Sequence, residues 1–191
     1  MTDVVGILLA AGSAQRFGAP KLLHALPNGV PIGIAAARAL IQAVPKTIAV
    51  VQPGDQVLTE AFSAIGLKIV GNPFSNNGMG TSLAAGIRAT PEAGGWLIAL
   101  ADMPWVYPAT ICMLADRLRN GASIVAPVYA GQRGHPVGFA HHWGEKLQTL
   151  CGDEGARDLI ADHSEELVLQ TTLDAGVLED IDHPGDLVRD R

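Results

Sequence analysis

The sequence predicts an α/β fold of the Rossmann-like type, with a mostly parallel sheet, helices on both faces and a small β-excursion. Short apolar runs alternate with longer stretches of helical character through the first two thirds of the chain, which is the pattern of right-handed βαβ crossovers. The runs are continuous in Val, Ile and Leu, as expected of strands buried on both faces. A chain of 191 residues is expected to form a single domain over residues 1–191.

The first strand is predicted from the apolar run that ends at Gly12, which leads into a glycine-containing loop. In the last third, the segments 129–132 and 135–139 predict a hairpin or β-excursion, and residues 165–171 predict an added antiparallel strand. The other predicted elements alternate along the chain. Strands are predicted at residues 4–11, 47–51, 68–70, 96–100, 123–128 and 177–181, and helices at residues 32–44, 55–65, 80–90, 108–120 and 154–163.

The composition excludes several classes of protein. With 48% hydrophobic and 17% charged residues, the chain is neither disordered nor a coiled coil. A net charge of -6 argues against a nucleic-acid partner. The two cysteines, Cys112 and Cys151, have no zinc-binding spacing, and no apolar run approaches the ~18 residues that span a bilayer. We therefore expect a cytoplasmic protein without a membrane partner, and the absence of a signal-peptide pattern at the start agrees with this.

In open α/β sheets, ligands bind beyond the carboxyl ends of the strands, and the loop after the first strand has phosphate-binding chemistry there. Gly12 and Gly18 allow close approach of the backbone to an anion, Arg16 offers a bidentate fork and Lys21 a point charge. The spacing G-x5-G-x2-K is not that of a Walker A loop, which argues against kinases and ATPases. The alternative is an ordinary turn with two solvated cations.

Two further strand ends carry carboxylates. Asp102 directly follows the apolar run 96–100, where a carboxylate beside a phosphate loop can bind Mg²⁺. Asp180 and Asp182 share one face of the last predicted strand, and one of them could join Asp102 at the metal. The alternative for Asp182 is a cap for a final helix that begins at Pro184.

Two polar loops are candidates for the remaining parts of a substrate. Residues 72–83 lead into a helix and could hold a base or ribose, unless Thr81 or Ser82 only caps that helix. Residues 131–137 carry Arg133 and His135 between glycines and could shape an acceptor site, although a single histidine in a turn is more often structural.

With these motifs in place, the chain resembles the MobA-like NTP transferases, and most closely the molybdenum cofactor cytidylyltransferases. The resemblance covers nearly the whole length. The superfamily is indicated by the first loop and by Ala-Asp-Met-Pro at residues 101–104, and the cytidylyltransferase branch by Gly-His-Pro at 134–136 and by Gly-Asp-Glu-Gly-Ala-Arg at 152–157. Residues 72–73, 78–83 and 180–182 also match.

The resemblance implies an Mg²⁺-dependent enzyme that joins CTP to molybdopterin, giving the cytosine dinucleotide cofactor and pyrophosphate. A molybdoenzyme or its maturation chaperone is a further implied partner. Leu-Ala-Ala-Gly at residues 9–12 favours cytosine, since the guanylyltransferase relatives typically have Leu-Ala-Gly-Gly. Alternatives are cytidylyl transfer to another small phosphate, such as methylerythritol phosphate, and a non-catalytic molybdopterin- or nucleotide-binding chaperone.

The resemblance also implies the residues of the site. The implied catalytic residues are Lys21, Arg16 and Asp102, and the implied metal ligands are Asp102 and Asp182. The residues implied to bind the acceptor are Arg133, Gly134 and His135. Those implied to bind the nucleotide are Leu9, Ala10, Ala11, Gly12, Ser13, Lys21, Asn72, Gly80 and Ser82.

Overall fold

The computed structural model describes residues 3–12 and 20–187, in which a mixed sheet of eight strands is flanked by helices. The strands are β1 (Val4–Leu9), β2 (Thr47–Val51), β3 (Lys68–Gly71), β4 (Gly95–Leu100), β5 (Ile124–Tyr129), β6 (Gln132–Arg133), β7 (Val137–Ala140) and β8 (Leu167–Thr171). The α-helices are α1 (Ile32–Ala43), α2 (Gln56–Ala64), α3 (Met79–Arg88), α4 (Pro108–Arg119), α5 (Gly144–Leu147) and α6 (Arg157–Asp162).

The strand order is β3-β2-β1-β4-β7-β5-β6, and β8 also pairs with β5. Strands β3, β2, β1 and β4 are parallel to one another, whereas β7 lies antiparallel between β4 and β5. The predicted α/β class is thus confirmed, and the predicted β-excursion corresponds to β6 and β7.

The side chains of β1 show how the sheet is covered. Val4 and Leu8 point to the face that α1, α2 and α4 cover, and Val5, Ile7 and Leu9 point to the face that α3, α5 and α6 cover. Every residue of β1 is buried, which explains its unbroken apolar sequence. Helices on both faces of the sheet, as predicted, therefore enclose two apolar layers.

Two predictions about the last third of the chain are wrong, and the first concerns the direction of strand β8. It pairs with β5 in the parallel direction, not the antiparallel one. The chain between the two strands passes through β7, α5 and α6, and a connection of this length can return the chain to the same end of the sheet.

The second wrong prediction is the strand at residues 177–181. Residues Ala175–Leu178 form a short 3-10 helix instead, although Val177 and Ile181 are fully buried as the apolar pattern indicates. The backbone is bonded to loops rather than to a strand, since Val177 O accepts from His135 N and Ile181 N donates to Asp102 O. The buried Asp174 fixes the start of the segment, and its carboxylate accepts hydrogen bonds from Tyr107 N, Thr110 Oγ1 and Gly176 N.

The remaining helix and strand boundaries differ little from the predicted ones, with one exception. The helix predicted at residues 154–163 begins only at Arg157. The preceding residues include Gly152 and Gly155, whose positive φ angles are incompatible with a helix. Among the described helices, none is long and apolar enough to cross a membrane.

Candidate nucleotide-binding site

Lys21, Asp102 and Asp182 meet at the carboxyl ends of β1 and β4. Lys21 opens a short 3-10 helix that follows the first loop, and its Nζ lies 2.9 Å from Asp102 Oδ2 and 3.2 Å from Asp182 Oδ1. The bond from Ile181 N to Asp102 O, at 3.0 Å, brings the last segment alongside the end of β4. The parallel register of β1 and β4 therefore places residues 10–12, where the predicted phosphate loop begins, at the same edge of the sheet as Asp102.

The charge of Lys21 is retained in this setting. Its side chain is only 13% exposed, and desolvation by itself would lower the pKa of Lys21. The charges and hydrogen bonds of Asp102 and Asp182 outweigh that effect, so the pKa of Lys21 lies above its usual value. Lys21 is thus a protonated ammonium that bridges two carboxylates.

The two carboxylates form a donor set that suits a divalent cation. Mg²⁺ prefers one or two carboxylates together with water and phosphate oxygens. Of the two C-terminal candidates left open by the sequence, Asp182 is the one bonded to Lys21 opposite Asp102. Asp186 Oδ2 accepts hydrogen bonds from the N–H groups of Asp182 and His183, just before the short 3-10 helix Pro184–Leu187.

A cleft of about 800 Å³ opens at this cluster. That volume is within the range of small-molecule sites. Six of the individually predicted nucleotide-binding residues line it, together with Ser75, Asn76, Gly78 and Met79 of the predicted loop 72–83, and Asp153 lines it without a predicted binding role. The six are Leu9, Ala10, Ala11, Gly12, Lys21 and Ser82. Ser13, Arg16 and Gly18 lie outside the described residues.

Asn72 supports the wall of the cleft rather than lining it. Its side chain is 1% exposed, and Nδ2 donates to Thr81 Oγ1 at 2.9 Å and to Ser82 Oγ at 3.0 Å. Its Oδ1 accepts from Phe74 N at 3.0 Å. The capping alternative for Thr81 and Ser82 is wrong, since the cap residue of α3 is Gly78 and both hydroxyls accept from Asn72.

Gly80, also predicted to bind the nucleotide, is a packing position. A Cβ at Gly80 would lie 2.8 Å from the carbonyl oxygen of Cys151. Two backbone hydrogen bonds join the same segments, from Gly80 N to Gly152 O at 2.9 Å and from Gly152 N to Asn77 O at 3.0 Å. The segment 151–153 is therefore held against the start of α3.

The predicted acceptor residues line a second cavity, of about 360 Å³. Arg133, Gly134 and His135 lie on one side of it. Apolar side chains from α3, β4, β7 and α6 form much of the remainder, namely Leu83, Ile98, Val137, Phe139 and Ile160, and the segment 153–157 lines the rim. The two cavities share Leu9, Met79, Leu100 and Asp153, so they are adjoining parts of one site.

His135 lies half-buried at the edge of this second cavity. Desolvation lowers the pKa of His135 below its usual value, Arg133 acts in the same direction, and Asp102 opposes them. Its Nδ1 is buried and has no hydrogen-bond partner among residues 3–12 and 20–187. His135 is consequently a neutral imidazole, and its neighbour Gly134 is required because a Cβ there would overlap Val177 O.

Known proteins with similar sequences cover nearly the whole chain. Nicotine blue oxidoreductase of Paenarthrobacter nicotinovorans is 29% identical over 188 residues, which are 94% of this chain and 92% of that protein. The purine catabolism protein PucB of Bacillus subtilis is 29% identical over 205 residues, covering 97% of this chain and 96% of that protein.

A similar solved structure is Rv0371c of Mycobacterium tuberculosis. It is 26% identical with a TM-score of 0.84, covering 97% of this chain and 95% of that one. Its manganese complex is 27% identical with a TM-score of 0.80, covering 97% and 96%. The family model for the MobA-like NTP transferase domain matches residues 6–167. The chain therefore belongs to the MobA-like NTP transferase domain family, the nucleotidyltransferase class that its motifs predict.

Proposed function

We propose that this nucleotidyltransferase joins CTP to molybdopterin in an Mg²⁺-dependent reaction that gives the cytosine dinucleotide cofactor and pyrophosphate. The observation that carries the proposal is the position of Lys21, Asp102 and Asp182 in a nucleotide-sized cleft that adjoins a smaller cavity with apolar walls. One compartment suits the triphosphate nucleotide and the other suits the acceptor.

The phosphate half of the site is proposed to work by positioning and charge. Lys21 supplies a protonated ammonium at the wall of the cleft, and Ala11 and Gly12 are small enough for phosphates to approach the backbone. Asp102 and Asp182 would hold Mg²⁺, which neutralises the charge that develops as pyrophosphate leaves. The manganese complex of Rv0371c supports a divalent metal. We assign Arg16 and Ser13 to the same half from the sequence alone.

The acceptor half is proposed to hold the ring system of molybdopterin. Ile98, Val137 and Phe139 give this cavity apolar walls that suit the faces of a planar ring. Arg133 and Arg157 at the rim provide positive charge for anionic substituents. The preference for molybdopterin over methylerythritol phosphate rests on the resemblance at residues 134–136 and 152–157.

The proposed transfer needs no general base. The phosphate of the acceptor is already ionised and nucleophilic, so the protein has to align it with the α-phosphorus of the nucleotide and stabilise charge. His135 lines the smaller cavity together with Arg133. We assign it to contact with the acceptor.

The choice of CTP and of the cellular setting rests on the sequence. Leu9, Ala10 and Ala11 line the cleft with small apolar groups, and Ala11 is the residue that favours cytosine by resemblance. Both cysteines are free, in keeping with the cytoplasm. A molybdoenzyme or its maturation chaperone would receive the product.

The test is pyrophosphate release from CTP, GTP and ATP, each with Mg²⁺ and either molybdenum-loaded molybdopterin or methylerythritol phosphate. We expect release only from CTP with molybdopterin, and loss of release in Asp102→Asn. The matched control is Asp3→Asn, because Asp3 forms an exposed ion pair with Lys46 far from the cleft. Release only with methylerythritol phosphate, or full activity of Asp102→Asn, would contradict the proposal.

A further inference from the structure

The Lys21 ammonium holds the position between two carboxylates that a metal ion would also require. Its Nζ is within hydrogen-bond distance of both Asp102 Oδ2, at 2.9 Å, and Asp182 Oδ1, at 3.2 Å. Lys21 takes one oxygen of each carboxylate, so a divalent cation bound to the same pair would lie close to the ammonium and be repelled by it. The two cations therefore oppose each other's binding at this pair.

The carboxylates are the fixed partners of this cluster. Asp102 follows the central strand β4, and Asp182 is tied to it through the bond from Ile181 N to Asp102 O. Ile181 is fully buried, which anchors the segment. Lys21 has a flexible four-carbon stem and lines the large cleft, so its ammonium can turn toward a ligand there without a change in the sheet.

We propose that Lys21 and the divalent metal are alternative counter-ions of the Asp102–Asp182 pair, and that nucleotide phosphates drive the exchange by drawing the Lys21 ammonium into the cleft. The inference rests on the proposed function for the identity of the anion as a nucleotide. Without the nucleotide, Lys21 offsets part of the negative charge of the two carboxylates and the metal binds weakly. With it, Lys21 gains phosphate as a partner and releases the carboxylates. Metal and nucleotide must then strengthen each other's binding by the same factor.

The experiment measures Mn²⁺ binding to the full chain by the electron paramagnetic resonance of the free ion, with and without the non-reacting α,β-methylene analogue of CTP. The competition predicts that Lys21→Met binds Mn²⁺ alone about tenfold more tightly than the unaltered protein, within the usual range of couplings between sites. Lys21→Arg keeps the charge and should retain the weak binding. Lys46→Met removes an exposed lysine and is the matched control.

The nucleotide arm tests the exchange itself. In the unaltered protein the analogue should tighten Mn²⁺ binding about tenfold, after correction for Mn²⁺ bound to the free analogue, and in Lys21→Met this gain should be largely lost. Equal Mn²⁺ affinity of Lys21→Met and the unaltered protein would overturn the proposal. Should Lys21→Met not fold, equal affinity of the unaltered protein with and without the analogue would overturn it as well.

The design separates this inference from the proposed function, because it uses neither acceptor nor turnover. Tighter Mn²⁺ binding by Lys21→Met together with the nucleotide coupling, but without pyrophosphate release from CTP and molybdopterin, would support the exchange and refute the assigned reaction. Pyrophosphate release as expected, with Mn²⁺ affinity unaffected by Lys21→Met, would do the reverse.

Discussion

Replacement of Asn72 by alanine should destabilise the protein and disturb the nucleotide cleft together. The Asn72 amide is 1% exposed and makes three hydrogen bonds, two as donor to Thr81 and Ser82 and one as acceptor from Phe74 N. It thereby joins the end of β3 to the first turn of α3, and Ser82 faces the cleft.

The expected cost follows from the bonds that are lost. A neutral hydrogen bond contributes about 1 kcal/mol, so Asn72→Ala should lower the free energy of unfolding by about 3 kcal/mol, including the small void that the amide leaves. Ser82→Ala removes one of the three bonds and is the matched control, with an expected cost of about 1 kcal/mol.

The assay is urea denaturation followed by the fluorescence of the three tryptophans, combined with steady-state kinetics. Because Asn72 shapes the cleft without lining it, Asn72→Ala should raise KM for the nucleotide more than it lowers kcat. A loss of stability no larger than that of Ser82→Ala would refute the assignment of Asn72 as the residue that holds this loop. An unchanged KM would refute its link to the cleft.

Three further predictions concern buried groups near the site. Asp174→Asn should lower the free energy of unfolding by about 2 kcal/mol in urea denaturation, because both carboxylate oxygens accept hydrogen bonds, including that from Thr110, and an amide nitrogen cannot replace either; an unchanged midpoint would contradict this. Gly80→Ala should lower Tm although alanine favours helices, since its Cβ would lie 2.8 Å from the Cys151 carbonyl oxygen, and a raised Tm would show that the contact yields freely. His135 has a pKa below that of the unfolded chain, so the folded protein binds fewer protons and loses stability as pH falls below about 6.5; His135→Gln should lose less on acidification, and equal losses would disprove the buried neutral imidazole.

The sequence predicted the centre of the site because that centre follows from strand ends. The apolar runs that became β1 and β4 are unmistakable, and parallel neighbours bring the residues after them to one edge of the sheet. Lys21 and Asp102 meet for that reason, although 81 residues separate them. The predicted acceptor residues Arg133 and His135 also lie together, since β6 ends at Arg133 and β7 begins at Val137.

Other parts depend on tertiary contacts that no local pattern reveals. The apolar residues Val177 and Ile181 correctly indicated that this segment is buried. Its backbone, however, forms single hydrogen bonds to loops and does not pair with a strand. The direction of β8 depends on the path of the chain through α5 and α6.

The sequence alone did not show that Asn72 supports the loop, for a related reason. A polar residue in a glycine-rich loop is read as exposed, and only the packing of residues 151–153 against α3 shows which side of the loop faces the cleft. Asp153 lines both cavities because of the same packing of residues 151–153 against α3. The Gly-Asp-Glu-Gly-Ala-Arg motif at residues 152–157 was the sequence feature that could have indicated a role for Asp153.

The most direct test of the central reaction follows radioactive phosphorus from CTP into the acceptor. With Mg²⁺ and molybdopterin, label in the α-phosphate should appear in a product that also carries the acceptor, whereas label in the γ-phosphate should leave entirely as pyrophosphate. Transfer of the γ-label to the acceptor, or retention of both labels in unreacted CTP with every acceptor tried, would contradict nucleotidyl transfer at the Lys21, Asp102 and Asp182 cluster.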